Sequence, residues 1–143
     1  MIALVDTKVV LDVMLGRERH AAASSLVLAA VETGRCQGLL CATTITTIHH
    51  IAQRQIGKHP SLARIGDLLS IFGVAGVNRG VLESAISRRM PDFEDAVLHE
   101  AALQVGAHCI VTRNVDHFAS AAIPVYNPEQ FIAALDHEGA GQE

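Results

Sequence analysis

The feature that most constrains this sequence is an alternation: short, unbroken apolar runs recur between stretches whose apolar residues follow helical spacing. The first run, Ile2–Val5, ends at Asp6, and a run that is apolar at every position fits a strand buried on both faces. Similar runs fall at 38–42, 74–77, 108–111 and 123–126, the last carrying Pro124, which lacks a ladder donor and so belongs at a sheet edge. Between them lie helical patterns at 7–15, 18–33, 43–56, 60–71, 81–89, 92–105 and 128–135, several stopped by Gly16, Gly34, Gly57 or Gly106. Parallel neighbours require crossover connections, so this order predicts an α/β fold: a three-layer α/β/α sandwich around a mostly parallel sheet of four or five strands. A chain of 143 residues suits a single domain, expected over 1–136 with a frayed tail at 137–143.

Composition removes several classes of function. Aromatic residues make up 3% of the chain and Trp is absent, which argues against a platform for stacking single-stranded bases. The net charge of −4 lacks the broad basic field of proteins that neutralise many phosphates; a polyanionic substrate needs a local basic patch or a metal. Cys36, Cys41 and Cys109 are odd in number and contain no CxxC pair, which fits small buried hydrophobes in a reducing compartment rather than disulfides or zinc. No apolar stretch approaches the roughly 20 residues of a membrane span, and a cytoplasmic location is expected. Neither GxGxxG, GxxxxGK[ST] nor GxSxG occurs, and the eight histidines include no HxxxH or HExxH. A receiver-type acid pair is missing, and Lys8 stands where a DxD phosphatase needs its second acid.

What remains is a set of acids at strand ends. In an open parallel sheet the ligand crevice lies beyond the C-terminal strand ends, where strand order reverses. Asp6 ends the first strand, Asp95 falls in the first turn of the helix preceding the fourth, and Asp116 follows that strand after Thr112, Arg113 and Asn114. Converging carboxylates repel and raise one another's pKa unless a divalent cation lies between them, and an all-oxygen donor set suits Mg²⁺ or Mn²⁺ rather than zinc. Asp92 fits an N-cap three residues before Asp95. Asp12, four residues after Lys8, fits either a solvated i,i+4 pair or a role behind the site.

Two segments resemble a known family. The opening LVDTKVVLDVMLGRERH resembles the DTNVLLD signature of PIN-domain nucleases, and MPDFEDAVLHEAALQVGAHCIVTRNVDHF resembles their second signature: an acidic helix start, a strand ending in TRN, and a turn ending in Phe. The resemblance spans essentially the whole chain. It implies a PIN-like α/β/α sandwich and Mg²⁺- or Mn²⁺-dependent hydrolysis of RNA phosphodiesters, many small members being toxins of type II toxin–antitoxin pairs. It also implies metal and catalytic roles for Asp6, Asp95 and Asp116, with Lys8, Glu94, Thr112, Arg113, Asn114 and Thr47 around them. Three departures from the pattern stand out. Thr47 occupies the place of a third-helix glutamate in a segment with no acid between Glu32 and Asp67; Lys8 replaces the usual asparagine; and Asp116 lies one position before the usual acid, where His117 stands, leaving Asn114 or Asp116 as the fourth-strand ligand.

The expected function is thus a metal-dependent endoribonuclease with an RNA substrate and a small antitoxin partner; the alternative is a PIN-like binding module acting through protein partners. Lys8 and Arg113 would bind neighbouring phosphates, with Arg54, Lys58 and Arg64 extending a basic track. A homodimer is expected from the stripe Ile45, Ile48, Ala52, Ile56 and the following Leu62, Ile65, Leu68, Leu69.

Overall fold

A computed structural model describes residues 1–141. Five strands, β1 (Ile2–Val5), β2 (Gln37–Cys41), β3 (Gly73–Ala75), β4 (Cys109–Val111) and β5 (Val125–Tyr126), form one sheet in the order β3-β2-β1-β4-β5. Every pairing is parallel, so the expected α/β class holds and the sheet is more uniform than predicted. Pro124 precedes the edge strand β5 and contributes only its carbonyl, which accepts from the Ile110 N–H at 3.0 Å.

The pleat sorts the apolar runs into two cores. Ala3, Val5, Leu40, Cys109 and Val111 face one side, where they meet α1 (Thr7–Met14), α2 (Ala21–Glu32), α3 (Ala42–Ile56), α4 (Lys58–Ile71) and α7 (Pro128–Gly141). Leu4, Leu39, Cys41 and Ile110 face α5 (Arg79–Arg88) and α6 (Phe93–Gln104). This alternation, with both faces covered, is why the runs are apolar within the strands, His108 lying just outside β4. The three cysteines are buried free thiols, and burial pushes Cys109 up to about 12, as expected of a small core residue. Among the described residues no helix is long and apolar enough to cross a membrane.

Two helix boundaries differ from the sequence pattern by three residues or more, the others by one or two. The stretch 18–20 forms a turn, closed by the His20 N–H on the Arg17 carbonyl at 2.9 Å, and α2 starts only at Ala21. At the other end α7 runs beyond Leu135 to Gly141, with Asp136 held to Arg35 at 2.7 Å; residues 142–143 of the expected tail lie outside the described residues. The apolar stripe over α3 and α4 divides: Ile48, Ala52 and Leu68 belong to the core, whereas Leu62 and Leu69 are nearly half exposed. His49 links the pair through Ser61 at 2.9 Å.

Gly38 in β2 marks the tightest approach of sheet and helices. A Cβ there would sit 2.7 Å from Val31 Cγ2 and 2.8 Å from Phe72 Cε1, side chains packed in the core. Gly38→Ala is therefore expected to cost about 1–3 kcal/mol, read as a lower urea midpoint at unchanged slope.

Candidate active site

The reversal of strand order lies between β1 and β4, and the first side chain beyond β1 is Asp6. Its N–H continues the ladder to the Val111 carbonyl at 2.9 Å, while its carboxylate caps α1: Oδ1 accepts from the Thr7 N–H at 2.7 Å. Oδ2 accepts from Thr112 Oγ1, also at 2.7 Å, and Thr112 Oγ1 in turn accepts from the Asn114 N–H at 3.1 Å. Each carboxylate oxygen thus keeps a lone pair free. Burial pushes the Asp6 carboxyl above its usual range, opposed by the Thr112 and Thr7 hydrogen bonds and by Lys8, and reinforced by Asp92.

The second carboxylate comes from α6. Asp92 caps this helix, accepting from the Asp95 N–H at 2.9 Å, as its N-cap reading predicted, and so fixes the turn that aims Asp95 at Asp6. Burial, then the charges of Asp6 and Asp92, push Asp95 up to about 6 against the pull of His117. His117 Nδ1 lies 3.5 Å from Asp95 Oδ2. Opposite stands Thr47 on α3, whose hydroxyl donates to Glu94 Oε1 at 3.3 Å.

These groups line a cleft of about 280 Å³: Asp6, Lys8, Arg17, Thr47, Asp92, Glu94, Asp95, Asn114 and His117, with Thr7, Leu11 and Ile51 beneath. A larger, more open depression of about 520 Å³ beside α5 and α6 is lined by Glu83, Ser84, Ser87, Arg88 and Glu100. There Arg88 pairs with Glu100 at 3.2 Å, and none of the strand-end acids is present, so the smaller cleft holds the more distinctive chemistry.

Two expected contributors lie elsewhere. Asp116 is exposed and does not line the cleft, because Val115–Phe118 is a 3-10 turn. In such a turn residues three apart eclipse, so Asn114 and His117 share the cleft side and Asp116 turns off it. Arg113 points to Asp12, its Nε 3.0 Å from Oδ2. Asp12 itself is fully buried and faces Arg17 and Arg113, not Lys8, which is exposed. The solvated-pair reading of Asp12 is thereby corrected: α1 is buried at Thr7, Val9, Val10, Leu11, Asp12 and Met14 and offers no solvated face there. Arg54, Lys58 and Arg64 do not line the cleft. Arg17, and the cleft-lining position of His117, were not assigned from the sequence; the only signal was the anomaly of His117 in an acid's place.

The donor set bears on a metal. Among the described residues no group of three or more His, Cys, Asp or Glu side chains is assembled to hold an ion, so no closed protein cage exists. Two carboxylates with free lone pairs, one raised by the charge of the other, nonetheless suit Mg²⁺, which keeps several waters and binds through one or two carboxylates plus substrate phosphates.

A sequence model of the PIN domain matches residues 3–116. No curated protein matches the chain significantly in sequence. Among solved structures it is similar to VapBC2 from Rickettsia felis bound to a DNA fragment from its promoter, with a TM-score of 0.70 at 12% identity over 89% of this chain and 98% of that one. VapC20 from Mycobacterium tuberculosis, described as a Sarcin-Ricin loop cleaving toxin, gives 0.68 at 14% over 82% and 94%. A toxin–antitoxin complex from Klebsiella pneumoniae gives 0.68 at 23% over 88% and 97%. At these identities the likeness is one of fold.

Proposed function

Since the chain belongs to the PIN-domain family, we propose that its cleft is the active site of a Mg²⁺- or Mn²⁺-dependent endoribonuclease, the cytoplasmic toxin of a toxin–antitoxin pair. The observation that carries this reading is the meeting of Asp6 and Asp95, 89 positions apart in the chain, in one cleft where burial and then the charge of Asp6 raise the pKa of Asp95.

Asp6 and Asp95 would hold the ion, which when bound would polarise a phosphate and acidify a water. Thr112 keeps the Asp6 carboxylate in one orientation. Asn114, whose N–H ends the same hydrogen-bonded chain and which lines the cleft, would offer its side-chain amide to substrate from the place where the sequence leaves Asn114 and Asp116 open. Lys8, exposed at the cleft, binds a flanking phosphate, and Glu94 with Thr47 borders the opposite wall. Solved relatives that are toxin–antitoxin complexes support a small antitoxin as partner, and Leu62 and Leu69 on α4 supply apolar surface for a homodimer. The incomplete donor set favours the second reading, a PIN-like binding module.

The two readings part in one assay. Purified protein incubated with end-labelled RNA is expected to produce discrete fragments with Mg²⁺ or Mn²⁺ and none in excess chelator. Intact RNA under both conditions, across several substrates, would leave the binding module standing.

A further inference from the structure

Arg17 and Asp12 have no part in the roles assigned above, yet Arg17 lines the cleft and Asp12, the single carboxylate of α1, is fully buried. A buried carboxylate is retained only where hydrogen bonds and opposite charge compensate it. Asp12 Oδ2 accepts from Ser24 Oγ at 3.2 Å and lies 3.0 Å from Arg113 Nε. Oδ1 has no hydrogen-bond partner and faces Arg17 Nη1 at 3.5 Å. The two arginines then diverge. Arg113 lines a separate cavity of about 220 Å³ with Arg19, His20 and Asn127, whereas Arg17 turns to the cleft with its side chain one-third exposed.

The backbone reinforces this placement. Gly16, with φ 60°, turns the chain after α1, and the Arg17 N–H donates to the Asp12 carbonyl at 3.0 Å. At 3.5 Å the contact with Asp12 attracts without saturating the guanidinium, which keeps donors for a second anion. That fork matches two oxygens of one phosphate, which a lysine ammonium cannot do. Besides Lys8 and His117 the charged groups of the cleft walls are Asp6, Asp92, Glu94 and Asp95, so a polyanion entering it meets few cations.

We propose that Arg17 is a phosphate-binding residue for the RNA strand and that Asp12 is the positioning residue that holds it at the cleft; this rests on the reading of the cleft as a nuclease site. The test is binding of a fluorescein-labelled single-stranded RNA to the Asp6→Asn protein, followed by anisotropy across a salt series. Adding Arg17→Ala is expected to weaken binding about tenfold and to reduce the slope of log affinity against log salt by about 0.7, the value for one phosphate contact on a single strand. Arg17→Lys should keep the slope while losing part of the affinity. Asp12→Asn should lower the slope as Arg17→Ala does, and the two together should be no weaker than Arg17→Ala alone; a merely structural Asp12 would move the melting temperature and leave the slope unchanged. If Asp12→Asn does not fold, Asp12→Glu, which keeps the charge in a displaced position, serves with the same expectation. An unchanged slope in Arg17→Ala overturns the role of Arg17 and leaves the nuclease reading intact, and an unchanged slope in the folded Asp12 variant overturns the positioning role. No RNA binding by the Asp6→Asn parent while the unsubstituted protein cleaves RNA with Mg²⁺ or Mn²⁺ overturns this inference alone, and the absence of both binding and cleavage overturns the nuclease reading and this inference together.

Discussion

Asp6→Asn and Asp95→Asn are each expected to reduce RNA cleavage by roughly a hundredfold or more, the scale on which loss of a metal-binding group acts, and Asp95→Asn is expected to make the protein more stable as it does so. The second half follows from electrostatics. Asp95 titrates near 6 in the folded chain against an ordinary 3.8, so between those values the folded protein holds a proton that the unfolded chain has released. The contribution of Asp95 to stability is then greatest below about pH 4, declines as pH rises to about 6, and is level above. With the side chain 18% exposed, the decline is on the order of 2 kcal/mol, taking about 1.4 kcal/mol for each pH unit between the two values and allowing for screening by solvent. In Asp95→Asn it should disappear, raising the melting temperature at neutral pH by several degrees. Divalent cation should stabilise the parent at neutral pH and do so far less in the variant. Thermal melts across pH, with and without Mg²⁺, decide the matter; a variant less stable than its parent at neutral pH would show that Asp95 contributes to the fold through contacts rather than straining it through charge.

Thr47→Glu is expected to tighten Mn²⁺ binding about tenfold, equivalent to about 1.4 kcal/mol, and to destabilise the metal-free protein. Thr47 lines the cleft and its hydroxyl donates to Glu94; a carboxylate there exchanges that hydrogen bond for repulsion from Glu94 and Asp95 and gives the ion a third protein oxygen. Affinity and metal-free stability should therefore move in opposite directions, the pattern expected of acids gathered for a cation. Calorimetry with Mn²⁺ measures the first and melting in chelator the second. Equal Mn²⁺ affinity in parent and variant would place the ion away from the α3 wall.

How far the sequence discloses this site depends on what kind of contact each residue makes. Asp6 and Asp95 are legible because strand ends and helix starts are local features, and a parallel sheet has few places for its carboxyl edge to go. The five strands are legible for the same reason: Leu4, Leu39 and Ile110 on one face and Ala3, Leu40 and Cys109 on the other make an unbroken apolar run inevitable. Asp12 is not, because its environment is assembled from Arg17 beyond a turn, Ser24 on another helix and Arg113 beyond another strand; within its own helix the nearest cation is Lys8, and spacing alone favours the wrong partner. Beyond β4 the sequence pattern errs by a single residue. Whether Asp116 or His117 faces the cleft depends on the tight 3-10 winding of four residues, a period that composition does not signal. The α2 start is displaced because a turn, rather than the apolar pattern, sets it, and α7 continues past its last apolar core residue, Leu135, through polar positions that the apolar pattern does not mark.

The placement of β1 between β2 and β4 has a consequence during synthesis. β1 occupies the centre of the sheet and acquires its β4 neighbour only after more than a hundred further residues have followed it. Until then Asp6 lacks the Thr112 hydroxyl that orients it and has no second carboxylate from α6. A nascent chain emerges N-terminus first and its long-range pairings close late, so ribosome-bound and prematurely terminated chains carry half a site. Chain order thus delays assembly of the paired carboxylates and their orienting hydroxyl until α6 and β4 have both been made.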